Sequence, residues 1–132
     1  MKVFVDTSAL FALVWAKDQH HRQAVAVWGE LRQRGAQLVT TDWVIAETVT
    51  LTRARAGMDL SLTIAERLFS DAFEVHWIDR DLAAEALVFF RKYRDHMLSL
   101  CDCASFAVMK RRSLSTAFAY DDDFRRAGLR TL

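Results

Sequence analysis

Four carboxylates stand where a metal-assisted hydrolysis needs them: Asp6, Glu47, Asp102 and Asp121. Asp6 follows the apolar run Val3-Phe4-Val5, and Asp121 follows Thr116–Tyr120 and opens Asp121-Asp122-Asp123-Phe124. Asp102 falls in the first turn of a helix that begins after Leu98-Ser99, and Glu47 lies further along a helix that starts near Thr41. In an open parallel sheet, ligands bind beyond the carboxyl ends of the strands, near a switch in strand order. Carboxylates gathered there repel one another unless a cation lies among them, and an all-oxygen donor set suits hard ions such as Mg²⁺ or Mn²⁺. Such an ion lowers the pKa of bound water and clamps phosphate oxygens, the apparatus of phosphodiester hydrolysis.

Each acid also has a simpler reading. Asp6 before Thr7-Ser8 and Asp121 before a short helix have the placement of helix caps. Ser99-Leu100-Cys101-Asp102 has the spacing of a capping box, with Asp where Glu or Gln is usual. Glu47 is harder to assign this way. Val44, Ile45, Thr48 and Leu51 surround it on the helical period, and no Lys or Arg lies within one turn. It therefore reads as a carboxylate bordering a buried face, in need of a partner or a metal. The joint placement carries the signal.

Strands and helices must alternate to bring these residues together, and the sequence has that pattern. Val3–Val5, Leu38–Thr40, Phe73–Trp77 and Thr116–Tyr120 are candidate strands. Helical periods run through Ala24, Val27, Trp28 and Leu31 to a stop at Gly35, and from Val44 to Gly57. Others run over Leu60–Phe69, Leu82–Tyr93 and Cys101–Arg112. Strands separated by helices predict an α/β fold with a central parallel sheet of four or five strands flanked by helices. With 132 residues, 52% hydrophobic and no linker or repeat, residues 1–132 read as one domain.

Charge and cysteine usage narrow the classes. Lys+Arg number 18 against 17 Asp+Glu, so bulk charge does not mark a polyanion coat. The basic residues are 14 Arg to 4 Lys, a bias toward the side chain that forks onto phosphate. No apolar stretch is long enough to span a bilayer and no secretory leader is evident, so a cytoplasmic protein is expected. Cys101 and Cys103 are too few for a disulfide framework or a structural zinc site and read as packing residues. Lys110-Arg111-Arg112 closes a helix, where cations favour the dipole. Arg53, Arg55, Arg91 and Arg94 are equally readable as an RNA-backbone path or as ordinary surface.

Taken in order, Val3–Leu10 with Asp6, Ala46-Glu47, Leu98–Met109 with Asp102, and Phe118–Phe124 with Ala127-Gly128 beyond resemble the PIN-domain family, in particular its small VapC-like toxins. The resemblance covers essentially the whole chain. It implies a PIN-like fold and an acidic pocket in which Asp6, Glu47, Asp102 and Asp121 hold Mg²⁺ or Mn²⁺ and cleave RNA. Ser8 matches the small polar residue two after the first acid, expected to hydrogen-bond a ligand or water at the pocket rim. The chain departs from the family where a basic residue or His is common after the fourth acid. Here stand Asp122-Asp123, and Asp123 could share or take the role of Asp121. The resemblance further implies a cognate antitoxin, whose segment would wrap an apolar groove, and a homodimer. Trp15, Trp43 and Trp77 are candidates for those faces. The alternative is a non-catalytic PIN-like module that binds RNA or a protein. A haloacid-type phosphatase would want Asp at position 8, where this chain has Ser.

Overall fold

Strands buried on both faces must be apolar along their whole length, and that condition selects the centre of the sheet. The computed structural model describes residues 1–132. β1 (Lys2–Val5) has Val3, Phe4 and Val5 fully buried, and β2 (Gln37–Thr41) is buried from Leu38 onward. With β3 (Glu74–His76), β4 (Thr116–Phe118) and β5 (Arg130–Thr131) they form one parallel sheet in the order β3-β2-β1-β4-β5. The α/β expectation is met, with five strands. Between the strands run α1 (Thr7–Val14), α2 (His21–Gln33), α3 (Asp42–Ala56), α4 (Met58–Leu68), α5 (Arg80–Lys92), α6 (Leu100–Arg111) and α7 (Asp122–Arg126). Gly35, at φ 62°, ends α2 in the left-handed conformation that glycine adopts without a Cβ penalty.

Two strand expectations needed correction. The run Thr116–Tyr120 stops pairing at Phe118, because the Tyr120 N–H donates to the Ser8 hydroxyl instead of a neighbouring strand. Asp121 therefore lies beyond a short turn and does not directly follow the strand. Nor is β4 the last strand, since β5 adds on its outer side through Arg130 N–H to Ser115 O and Leu132 N–H to Ala117 O. Two residues are too few to show a period, which is why β5 is silent in the sequence.

Phe124 connects the layers that matter most. It is fully buried in α7, its ring stacked on Phe4 of β1 at 6.5 Å and edge-on to Phe106 of α6 at 5.1 Å. Burying such a ring contributes about 1.5–3 kcal/mol, with aromatic geometry adding ~0.5–1.5. It thereby pins the Asp121–Asp123 turn to β1, which leads into Asp6, and to α6, which carries Asp102. Phe124→Ala should cost about 3–5 kcal/mol in chemical denaturation and Phe124→Leu much less. A loss for Phe124→Ala under about 1 kcal/mol would contradict this packing role.

Candidate functional site

β1 and β4 pair side by side, while the chain leaves β1 toward β2 and β3 and returns to β4 on the other side. The crevice between their carboxyl ends is thus the switch point of the sheet. Asp6 sits there, 3% exposed, as the N-cap of α1. Its Oδ2 accepts from the Ser8 N–H at 3.1 Å and from the Ser8 hydroxyl at 2.7 Å, while its own N–H donates to Phe118 O at 3.1 Å. The Ser8 oxygen in turn accepts from the Tyr120 N–H at 2.9 Å. One hydroxyl therefore ties the acid after β1 to the chain after β4, and its proton is already committed to Asp6.

Capping and clustering prove to be compatible. Ser99 and Asp102 form a full capping box at the start of α6, with Ser99 N–H donating to Asp102 Oδ2 at 3.2 Å. Asp121 caps α7, its Oδ1 accepting from Asp123 N–H at 3.0 Å. Each cap uses one carboxylate oxygen, and Asp6 Oδ1, Asp102 Oδ1 and Asp121 Oδ2 accept no hydrogen bond from the chain. The caps fix the direction of each carboxylate and leave an oxygen spare. Oxygens of Asp102, Asp121 and Asp123 lie within 4.8 Å of one another. Asp121 and Asp123 thus stand together in this group beside Asp102. Asp6 and Glu47 stand outside this tightest group but close enough for their charges to act on it.

Glu47 corrects an expectation. Val44, Ile45 and Thr48 are buried, yet Glu47, at the border of that face on α3, is itself exposed. Burial therefore does not force a partner on it. Its position comes from the hydroxyls that fasten α3 to α1: Thr7 Oγ1 donates to Val44 O at 3.4 Å, and Thr48 Oγ1 lies 3.3 Å from Thr7 Oγ1. Glu47 faces Cys101 of α6. Burial first, and then the Glu47 charge, push the Cys101 thiol up, so it stays protonated. Cys103 packs in the core beside Ala86 and Ala104. None of this stitching shows in the sequence, because its partners lie far apart in the chain.

Burial pushes the Asp6 carboxyl from an ordinary 3.8 up to about 7, with the charges of Asp102 and Glu47 adding to the rise and Ser8 opposing it. Burial likewise lifts Asp102 to about 6, with Asp121 and Glu47 adding, and raises Asp121 as well, beside Asp123. Of these acids only Asp123 has an ion-pair partner, Arg126 at 3.3 Å. Crowded carboxylates with spare oxygens and almost no protein cation among them fit a hard divalent ion such as Mg²⁺ or Mn²⁺. Without metal, Asp6 and Asp102 keep protons in the folded chain that they lose in the unfolded one between pH ~4 and ~7, so their contribution to stability falls as pH rises through that window. In EDTA the melting temperature should accordingly drop between pH 5 and pH 7.5, and Asp6→Asn should flatten the drop. A wild-type profile no steeper than that of Asp6→Asn would show that Asp6 is not strained by its surroundings.

The PIN-domain family model matches residues 3–129. The 23S rRNA-specific endonuclease VapC20 of Mycobacterium tuberculosis is 32% identical over 126 residues, 96% of this chain and 94% of that protein. Ribonuclease VapC26 of the same species is 27% identical over 119 residues, 90% of this chain and 86% of that one. The crystal structure of VapC20, a toxin that cleaves the sarcin–ricin loop, superposes with a TM-score of 0.89 at 31% identity, covering 96% of this chain and 95% of that one. FitAcB from Neisseria gonorrhoeae, at 18% identity and a TM-score of 0.69 over all of this chain and 96% of that one, shares the fold. With the family pattern spanning nearly the whole chain and VapC20 aligned along it, this protein belongs to the PIN-domain family.

Proposed function

We propose that the chain acts as one domain, a metal-dependent endoribonuclease and the toxin of a toxin–antitoxin pair. The carrying observation is the set of Asp102, Asp121 and Asp123 oxygens within 4.8 Å at the switch point, almost bare of protein cations. Asp6, Glu47, Asp102 and Asp121 would hold Mg²⁺ or Mn²⁺, directly or through water, and Asp123 would share the site. When bound, such an ion activates water and neutralises charge on the phosphate undergoing hydrolysis. The chain's own contribution is orientation. Caps at Asp6, Asp102 and Asp121 aim the carboxylates, and Ser8 keeps the Asp6 oxygen turned toward the β4 side. Arg91 and Arg94 line a cavity of about 720 Å³ that reaches Ser99 at the start of α6, and would hold the RNA backbone leading to the acids. Arg53 and Arg55, near the end of α3, are open to the same use at longer range. The VapC relatives, named as ribonucleases, support this reading, and 23S rRNA carrying the sarcin–ricin loop is the first substrate to offer.

For the antitoxin we propose the apolar groove of about 260 Å³ between α1, α2 and α4, lined by Leu10, Leu13, Val25, Trp28, Ile64 and Phe73. Trp28 is the tryptophan there, not Trp15, Trp43 or Trp77. Arg67 at its rim offers a partner for an acidic residue of the docked segment. For a homodimer the candidate face is the exposed apolar side of α5 around Val88, next to Leu87 and Phe90 at the rim of the Arg91–Arg94 cavity, so that the cavity stays open beside the seam. No helix is long and apolar enough to cross a membrane, and the proposed place of action is the cytoplasm, with the ribosomes.

Cleavage of rRNA by purified protein should require Mg²⁺ or Mn²⁺ and stop in EDTA. Asp6→Ala and Asp102→Asn should each lose more than about 100-fold, and Ser8→Ala about 10–100-fold, the range for a group that orients a ligand. Full turnover by Asp6→Ala in saturating metal would remove Asp6 from the site. Val25→Glu should leave cleavage intact but abolish neutralisation by the co-expressed antitoxin, and retained neutralisation would exclude the groove.

A further inference from the structure

Beside the acids, on the β4–β5 side, lies a polar cleft of about 700 Å³, within the usual range of ligand pockets. Its lining includes Tyr120 and Asp122, the residues on either side of Asp121, so it adjoins the cluster through the same short turn. The Tyr120 backbone is held by Ser8, which also holds Asp6. The cleft and the acids are therefore positioned by one bond network.

The chemistry of the lining is not that of an ordinary surface dent. The His20 ring lies flat on the Tyr120 ring, with centroids 4.3 Å apart and planes parallel. The Tyr120 hydroxyl is buried and finds no hydrogen-bond partner in the chain. Gln19 and Gln23, both exposed, offer amides that can donate and accept, and neither makes a hydrogen bond within the chain. Arg125 is engaged by Thr131 at 3.1 Å and lies 3.9 Å from Asp122, but Arg130 on β5 has no ion pair. Stacked aromatics, free amides and an uncommitted guanidinium together match a nucleotide: a flat base, hydrogen-bonding edges and a phosphate.

We propose that this cleft binds the nucleotide adjoining the scissile phosphate, with its base against the His20–Tyr120 stack and its edge read by Gln19 and Gln23. Arg130 takes the flanking phosphate. The inference rests on the ribonuclease reading and deepens it, because the four acids carry no base-reading code whereas this cleft supplies one.

The test uses the full chain and a random-sequence single-stranded RNA pool in Mn²⁺, with cleavage sites read by sequencing. Gln23→Ala and Arg130→Ala should each raise KM about tenfold, the scale of one lost hydrogen bond to a charged or base group. Gln23→Ala should also broaden the cleavage-site preference, whereas Arg130→Ala should weaken all sites evenly. His20→Ala should raise KM, and His20→Phe, which keeps a flat ring on Tyr120, should restore it. Mn²⁺-induced thermal shifts equal to wild type would show that the metal site is untouched. Wild-type cleavage with unchanged KM and unchanged site preference in the Gln23 and Arg130 variants would overturn the cleft and leave the ribonuclease reading standing. No cleavage by wild type of either this pool or 23S rRNA in any metal would overturn both.

Discussion

Carboxylates brought within 4.8 Å of one another repel, and each loses hydration as it is drawn in. The rest of the molecule is arranged around holding them there. Asp6 lies at the end of a fully buried strand, Asp102 and Asp121 lie at helix starts, and Phe124 clamps the turn of Asp121 and Asp123 between β1 and α6. The opposing terms have different ranges. Packing around Phe4, Phe106, Phe118 and Phe124 is short-range and insensitive to salt, whereas the repulsion is relieved wholesale by one bound cation. The packing holds the acids together without a cation, and a bound metal would in turn stabilise the fold by mass action.

Helix capping supplies the directional part. A capping carboxylate donates no hydrogen, accepts one or two from the first turn, and is favoured by the positive end of the helix dipole. At Asp6, Asp102 and Asp121 this uses one oxygen and leaves the other without a hydrogen bond from the chain. Capping thus lowers the cost of presenting like charges to one another, and the two readings of these acids are parts of one device. Glu47, exposed on α3, comes to the same crevice without a cap, steered by the threonine contacts between α1 and α3.

The parts of this site that were legible in the sequence are those fixed by local rules. Asp after an apolar triplet, Ser three residues before Asp, and helical periods between short β runs all act over a few residues, and they located Asp6, Asp102 and the alternation of strands and helices. What could not be read depends on distant partners. Ser8 and Tyr120 are 112 residues apart, and nothing near either one announces their bond. The sequence leaves open whether Asp123 shares the place of Asp121 or takes it, and Phe124, which orients the five-residue helix, sets both beside Asp102; Glu47 is exposed because the rotation of α3 is set by Thr7 and Thr48. β5 is recognisable only by the strand it joins.

The central claim is that the acids at the switch point hold a divalent ion. The direct measurement is a crystal structure of the full chain grown in saturating Mn²⁺, with anomalous scattering collected at the manganese edge. The account predicts an anomalous peak bounded by carboxylate oxygens of Asp102 and Asp121, with Asp6 and Asp123 alongside, and no such peak in an Asp102→Asn crystal. A wild-type crystal with no manganese in that crevice, or with manganese only elsewhere on the surface, would contradict it.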